Sequence, residues 1–307
     1  MLRYACMRLL GGVPTLLILI ALAFFLMRAA PGGPFDTEQP VPPAVRANLE
    51  RAYHLDESLP QQFGRYLARL AHGDFGPSFQ YPGYTVTDLI RAGFPVSLRI
   101  GALAMLLALV AGVAAGAFAA LRHNRAADTA VMTAAMTGIS VPNFVIAPLL
   151  ILVFAVHLGW LPGGGYGDGS LRYLVLPVVA LALPQLAYIA RLTRGSMVEV
   201  LQSPFIRTAR AKGLPACTIV TRHALKPALL PVVSYLGPAT AGIVTGSVVI
   251  EQIFGIPGLG RFFVQGALNR DYTLVLGVVV FYGALILILN LVVDLLYAVL
   301  DPRVRAS

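Results

Sequence analysis

The sequence predicts an all-α polytopic membrane protein with six transmembrane helices and both termini on the cytoplasmic side. Composition, the lengths of the apolar runs and the placement of charge predict it. Of 307 residues, 57% are hydrophobic and 12% charged, with a mean hydropathy of +0.76, whereas soluble domains carry about 25% charged residues. A soluble globular or disordered chain is excluded. The formal charge of +9 does not mark a nucleic-acid binder, because it follows membrane topology instead. Two cysteines, Cys6 and Cys217, provide neither a disulfide framework nor metal-ligand spacing.

A membrane helix needs about 20 mostly apolar residues to cross ~30 Å of hydrocarbon. Six stretches qualify: Leu9–Met27, Leu98–Leu121, Thr129–Phe154, Tyr173–Ala190, Ala228–Ile250 and Leu274–Leu300. Pro142, Pro148, Pro177 and Pro184 interrupt the third and fourth, which membrane helices tolerate when neighbours satisfy the freed backbone groups. The first run is longer than a signal-peptide core, and Arg28-Ala29-Ala30 is a poor cleavage site. It is expected to stay as an anchor.

Lysine and arginine set the orientation. With the N-terminus inside, Arg3, Arg8, Arg122, Arg125, Arg191, Arg194, Arg207, Arg210, Lys212, Arg222, Lys226, Arg303 and Arg305 are cytoplasmic, against only Asp128, Glu199 and Asp301. The chain then divides into a tail and first span over 1–28, an external segment over 29–96, and a core over 97–307 with a basic cytoplasmic loop at 191–227. In the external segment, Val45, Leu49 and Tyr53, and then Phe63, Tyr66, Leu67 and Leu70, recur at helical spacing. Short amphipathic helices capping the outer mouth are expected there; a contact surface for an external partner is the other reading.

Catalytic motifs are absent. The only lysines, Lys212 and Lys226, precede Gly213 and Pro227, so no phosphate-binding loop exists. Five scattered histidines show no metal spacing, and there is no Gly-x-Ser-x-Gly turn. The chain is read as a non-enzyme without a cofactor of its own. Asp294, with Asn290 on the same face of the last span, is the intramembrane acid. It is expected to anchor the span by pairing with Arg191 or Arg194 rather than to relay protons. So few intramembrane acids argue for an external energy source over ion coupling.

Gly112 and Gly116, and Gly242 and Gly246, form small-xxx-small patterns that permit close helix approach. Ser234, Tyr235, Thr240, Thr245 and Ser247 make the fifth span rich in hydroxyls, which suits a polar pathway lining and inter-helix hydrogen bonding alike. The loop reads Pro204-Phe-Ile-Arg-Thr-Ala-Arg-Ala-Lys-Gly213, with Pro204 suited to a first helical turn, Gly213 to a cap, and Pro227 to the start of the next membrane segment. Phe205, Ala209 and Gly213 repeat every four residues and leave a small, smooth face. A basic loop lying on anionic lipid and a plug for a groove on another protein both fit.

This stretch, followed ten positions later by His223-Ala-Leu-Lys-Pro227, resembles the EAA loop of ABC importer permeases in its peptide-transporter variant. Arg207 and Thr208 stand where the wider pattern has Glu and Ala; Ala209 and Gly213 match. The resemblance runs through Arg8–Leu17, Ala30–Pro34, Leu70–Ser78, Phe94–Ser97, Leu158–Gly165, Val249–Gly260, Asn269–Tyr272 and Asp294–Arg303. Within the peptide and nickel branch it is most similar to B-type permeases of oligopeptide importers; dipeptide, glutathione and nickel permeases share most of these motifs.

The resemblance implies a type I importer permease in the cell (inner) membrane of a prokaryote. It implies a second homologous permease, two cytoplasmic ATPases that bind ATP and magnesium, and an external solute-binding protein. Phe205, Arg207, Thr208, Ala209, Arg210, Ala211, Lys212 and Gly213 become the coupling helix that docks on an ATPase. A charge at Ala209 or Gly213 is then expected to uncouple transport without impairing insertion. Glu251, Phe254 and Pro257 lie in a glycine- and proline-punctuated stretch that reads as an outer gate or a plain connection. From another class, a stand-alone ion-coupled carrier would need no ATPase.

Overall fold

A computed structural model describes residues 2–29, 33 and 42–300. Most of the Ala30–Pro34 motif, together with Asp301, Arg303 and Arg305, lies outside the described residues, as do the side chains of Arg3, Cys6 and Arg8. The elements are helical: α1 (Leu2–Ala29), α2 (Pro43–Ala52), α3 (Leu59–Ala71), α4 (Val86–Leu121), α5 (Ala126–Ser140), α6 (Asn143–Leu150), α7 (Leu171–Leu201), α8 (Pro204–Ala211), α9 (Ala216–Thr218), α10 (Leu225–Ala228), α11 (Leu230–Phe254), α12 (Leu259–Leu268) and α13 (Tyr272–Leu300). Among the described residues five helices are long and apolar enough to span a membrane, or six where a bent pair is taken as one span.

The bent pair covers the third apolar run, which Pro142 and Pro148 interrupt. Helices α5 and α6 meet at 105°. Pro142 explains the break: it removes a backbone donor and holds Val141 extended, at φ −95° and ψ 120°. Beyond Pro148, α6 passes into a π-helical turn over Ile151–His157. By contrast, α7 runs unbroken through Pro177 and Pro184, so the first residues of the expected loop, Arg191–Leu201, are still helix. Pro227 falls inside α10, and the following span starts at Leu230 with Pro231 in its first turn.

The chain forms two compact units. The larger centres on Leu98–Ile256 and takes in α13 from Ile286. Its middle is α7, 56% of whose most apolar window is buried, against 11–28% for the other long spans. Helices α5, α6 and α11 pack on it. Helix α4 reaches it through two glycines: a Cβ at Gly112 would lie 2.8 Å from the Leu186 carbonyl oxygen, and one at Gly116 would overlap the Ala190 carbonyl. Gly242 meets the Gln185 amide of α7 at 2.7 Å, and Gly237 receives the Asn290 side chain of α13. Backbone approach of this kind substitutes for the hydrophobic drive that lipid removes.

The smaller unit comprises Leu9–Ser97 and Pro257–Leu285. One core joins Ile20, Phe24, Tyr66, Leu276 and Val280, with Phe63, Leu67 and Leu70 packed against it; Phe24 and Phe63 are 5.2 Å apart. The helical spacing read in 63–70 is thus the inward stripe of α3. On α2, Val45 is exposed and no residue is buried. A second core joins Val86, Leu89, Ile90, Leu259, Leu274 and Val278.

Two polar clasps close this unit. Asp271, fully buried, caps α13 by accepting from the Leu274 N–H at 3.0 Å, and also accepts from the Ser78 hydroxyl and the Gln80 N–H. Ser97 accepts the first N–H of α12, from Leu259, at 2.8 Å, where Gly93 leaves room for the Leu259 backbone 2.9 Å from its missing Cβ. Asp271→Ala would strand several buried donors, and the expected loss is at least about 2 kcal/mol. It should appear as a lower thermal unfolding temperature in detergent, with Asp271→Asn milder; an unchanged temperature would contradict this account.

Candidate functional site

Immediately after α7 the chain turns through Gln202 and Ser203 into α8, opened by Pro204, whose absent N–H is no loss at a first turn. The Thr208 hydroxyl returns to the Pro204 carbonyl at 3.1 Å. Gly213 ends the helix at φ +75°, its N–H bonding to Arg210 at 2.9 Å and the Leu214 N–H to Ala209 at 3.3 Å. Arginine at Gly213 would therefore strain the cap, independently of any docking.

Which way α8 faces corrects the sequence reading. Ile206 (0% exposed) and Ala209 (7%) point inward, into a cluster with Met197 of α7, Ala120 of α4, Ile219, Ala224 and Ala228. Ala209 is thus part of the chain's own core and not of a smooth outer face, because positions i and i+3 share one side of a helix. Phe205 (49% exposed), Arg207, Thr208, Arg210, Ala211, Lys212 and Gly213 are solvent-exposed. Phe205, Thr208 and Lys212, at i, i+3 and i+7, form an exposed ridge beside the buried Ile206 and Ala209 stripe.

Behind this element lies an ion pair that the sequence did not reveal. Asp128, 2% exposed at the start of α5, accepts from Nε and Nη2 of Arg194 of α7, at 2.6 and 2.7 Å. The Asn124 N–H adds a bond at 3.1 Å, and His123 Nδ1 lies 3.6 Å from the same carboxylate. Arg194 thus serves Asp128, and Arg191 stacks over Tyr188 at 4.9 Å. The pair borders a recess of about 670 Å³ lined by Met132, Thr133 and Met136. In sequence, Asp128 was visible only as a lone acid among bases; nothing pointed to a partner 66 residues on.

The hydroxyls of α11 divide. Ser234, Thr240, Thr245 and Ser247 each return to a carbonyl of their own helix, three or four residues back, so inter-helix bonding does not account for them. Ser234 and Thr245 are exposed, whereas Ser247 is buried. Tyr235 alone of the five bridges helices, donating to Gln185 of α7 at 2.8 Å and stacking on Tyr188 at 5.5 Å.

Glu251 and Phe254 are buried, at 0% and 2%, and Pro257 is exposed. The Phe254 carbonyl, at the end of α11, accepts the Gly165 N–H at 2.7 Å, and only glycine at 164 lets the two backbones meet. That contact explains the glycine run. Asn290 presses on Gly237, and Asp294 is half-buried. Among the described residues no three His, Cys, Asp or Glu side chains gather as a metal site.

The fold defines a polytopic helical membrane protein with a basic, exposed helix between two of its spans, and comparison with known proteins gives the family. The profile of the binding-protein-dependent transport system inner membrane component matches residues 112–306. The chain is 58% identical over 99% of its length, and 100% of the relative's, to the oligopeptide transport system permease protein OppB of Salmonella typhimurium. It is 46% identical over 99% of its length, and 98% of the relative's, to the dipeptide permease DppB of Bacillus subtilis. A solved inward-facing MetNI methionine ABC transporter matches 69% of this chain and 96% of its own, at a TM-score of 0.60 and 20% identity, a likeness of fold alone. The chain belongs to the binding-protein-dependent transport system inner membrane components. This is a family of transport components and not of enzymes.

Ala209→Glu would place a carboxylate among Met197, Ile219 and Ala224, and the expected result is a sharp fall in folded protein recovered from membranes. Thr208→Glu, on the exposed ridge, should leave recovery unchanged. Size-exclusion profiles of fluorescently tagged variants check both; equal recovery for the two would refute the assigned facing of α8.

Proposed function

We propose that the chain is the transmembrane permease subunit of an ATP-driven oligopeptide importer and forms half of its translocation pathway. The carrying observation is the end-to-end identity of 58% to an oligopeptide permease, against 46% to a dipeptide permease. In this reading a second homologous permease completes the pathway, an external solute-binding protein delivers the peptide, and two cytoplasmic ATPases bind ATP and magnesium. Both termini and the 202–227 connection lie inside, in keeping with the excess of arginine and lysine there, and residues 29–96 lie outside.

Helix α8 is then the coupling helix. Its exposed ridge supports this: an aromatic anchor, Phe205, flanked by Arg207, Arg210 and Lys212, has the composition of an interface hot spot. Closure of the ATPase dimer would pull on that ridge. Because Ile206 and Ala209 are packed against Met197, the pull passes to α7, and through the contacts of Gly112 and Gly116 to α4. The protein's work is mechanical; ATP chemistry belongs to its partners. Ser234 and Thr245, on the exposed side of α11, are the pathway-lining candidates that fit this reading, and Pro257 is the exposed member of the outer gate.

The test is reconstitution of the chain with its partner subunits in liposomes. Oligopeptide-loaded binding protein should stimulate ATP hydrolysis and peptide uptake. Phe205→Ala should weaken ATPase association roughly 30-fold, the effect of a ~2 kcal/mol hot spot, without loss of folded permease. Uptake by the chain alone, driven by an ion gradient and indifferent to ATPases, would instead establish a stand-alone carrier.

A further inference from the structure

The smaller unit contains a cavity of about 150 Å³ that peptide transport does not call on. A cavity needs only ~10–15 Å³ to hold one water, so this one admits a small ligand group. Phe24 and Met27 line it from the end of α1, and Leu276 from the first turns of α13. Gln62, Tyr66 and Arg69 line it from one face of α3, at i, i+4 and i+7.

The lining is cationic. Among the described residues it holds Arg28, Arg65 and Arg69 beside His54, and no aspartate or glutamate. Glu57 neutralises Arg65 from outside the cavity and lies 3.3 Å from His54. That leaves Arg28, stacked at 5.5 Å over Phe24, and Arg69 as the cations that set the character of the site.

Two polar atoms in the wall lack a partner among the described residues: the Tyr66 hydroxyl and Gln62 Oε1, in residues each only 8% exposed. The Gln62 amide nitrogen is already committed to the Leu55 and Glu57 carbonyls, at 3.1 and 2.8 Å, which leaves Oε1 as an acceptor. Burial pushes the Tyr66 phenol above its ordinary range, so it stays a donor. Buried tyrosine hydroxyls ordinarily find a partner. A donor, an acceptor and two guanidiniums around one partly open cavity ask for an anion that also carries a hydrogen-bond donor.

We propose that this cavity binds the headgroup of a membrane phospholipid. The phosphate oxygens accept from Arg28, Arg69 and the Tyr66 hydroxyl, while a headgroup ammonium or hydroxyl donates to Gln62 Oε1. Guanidinium is suited to phosphate through paired N–H donors. The apolar wall at the ends of two spans lies where the headgroup region meets hydrocarbon. Just before it, Leu22, Phe25 and Leu26 of α1 are 59%, 42% and 68% exposed, an apolar surface for the acyl chains. Free inorganic phosphate shares the anion chemistry but would leave that wall uncovered. The site stands apart from the transport reading and can fail or hold without it.

The test uses the full-length chain, equilibrated with vesicles of phosphatidylethanolamine and phosphatidylglycerol, extracted in mild detergent and weighed by native mass spectrometry. One retained phospholipid per chain is expected. Tyr66→Phe, which keeps the ring and removes the hydroxyl, should lower its occupancy about five-fold, the worth of one hydrogen bond. Arg28→Gln combined with Arg69→Gln should abolish it, and Arg46→Gln, a charge lost from the outer face of α2, should not. Melting curves establish that each variant is folded, and Tyr66→Phe carries the test if the arginine pair does not fold. Equal retention by wild type and Tyr66→Phe would overturn the proposal. Displacement of the lipid by inorganic phosphate would overturn the phospholipid as the ligand.

Discussion

The larger unit depends on the close approach of other helices to α7. That helix is buried on most sides, and Gly112 and Gly116 let α4 rest directly on its carbonyls. In hydrocarbon, apolar side chains gain little by leaving lipid for protein, so contact at backbone distance must hold the helices together. The Asp128–Arg194 pair adds a charged fastening between α5 and α7, and Tyr235 to Gln185 adds a neutral one from α11. Helix α8 follows α7 after two residues, so whatever moves α8 acts on the helix that the unit is built around.

A second constraint operates at helix ends, where backbone donors and acceptors lose their intrahelical partners. Here they are met by residues far away in sequence. Asp271 caps α13 while binding Ser78, Ser97 receives the first donor of α12, and Gly165 answers the last carbonyl of α11. These are the motifs around Leu70–Ser78, Phe94–Ser97, Leu158–Gly165, Val249–Gly260 and Asn269–Tyr272, met in pairs. Their glycines and small polar residues serve backbone closure rather than catalysis.

The membrane spans were legible because hydrocarbon thickness imposes a run length that any sequence must obey. The bend at Pro142 was legible as a weak point but not as a 105° turn, since an isolated proline states where a helix stops and not where the next one goes. The amphipathic α3 showed in its periodicity. The facing of α8 did not, because in Phe205-Ile206-Arg207-Thr208-Ala209 either side offers a small or apolar residue; only Met197 and Ile219, which close over Ile206, decide it. Pairings such as Asp128 with Arg194 were invisible for the general reason that a sequence gives charges but not their neighbours in space.

Docking of an ATPase on the exposed ridge of α8 is the claim on which the account turns. Site-directed disulfide cross-linking tests it most directly, with Cys6 and Cys217 both replaced by serine and single cysteines placed at Thr208 or at Ala209. With a cysteine scanned through the groove of the candidate ATPase, the account predicts a cross-link from position 208 that forms and breaks with nucleotide, and none from position 209, which is buried under the helix. A cross-link from 209 and silence at 208 would contradict it.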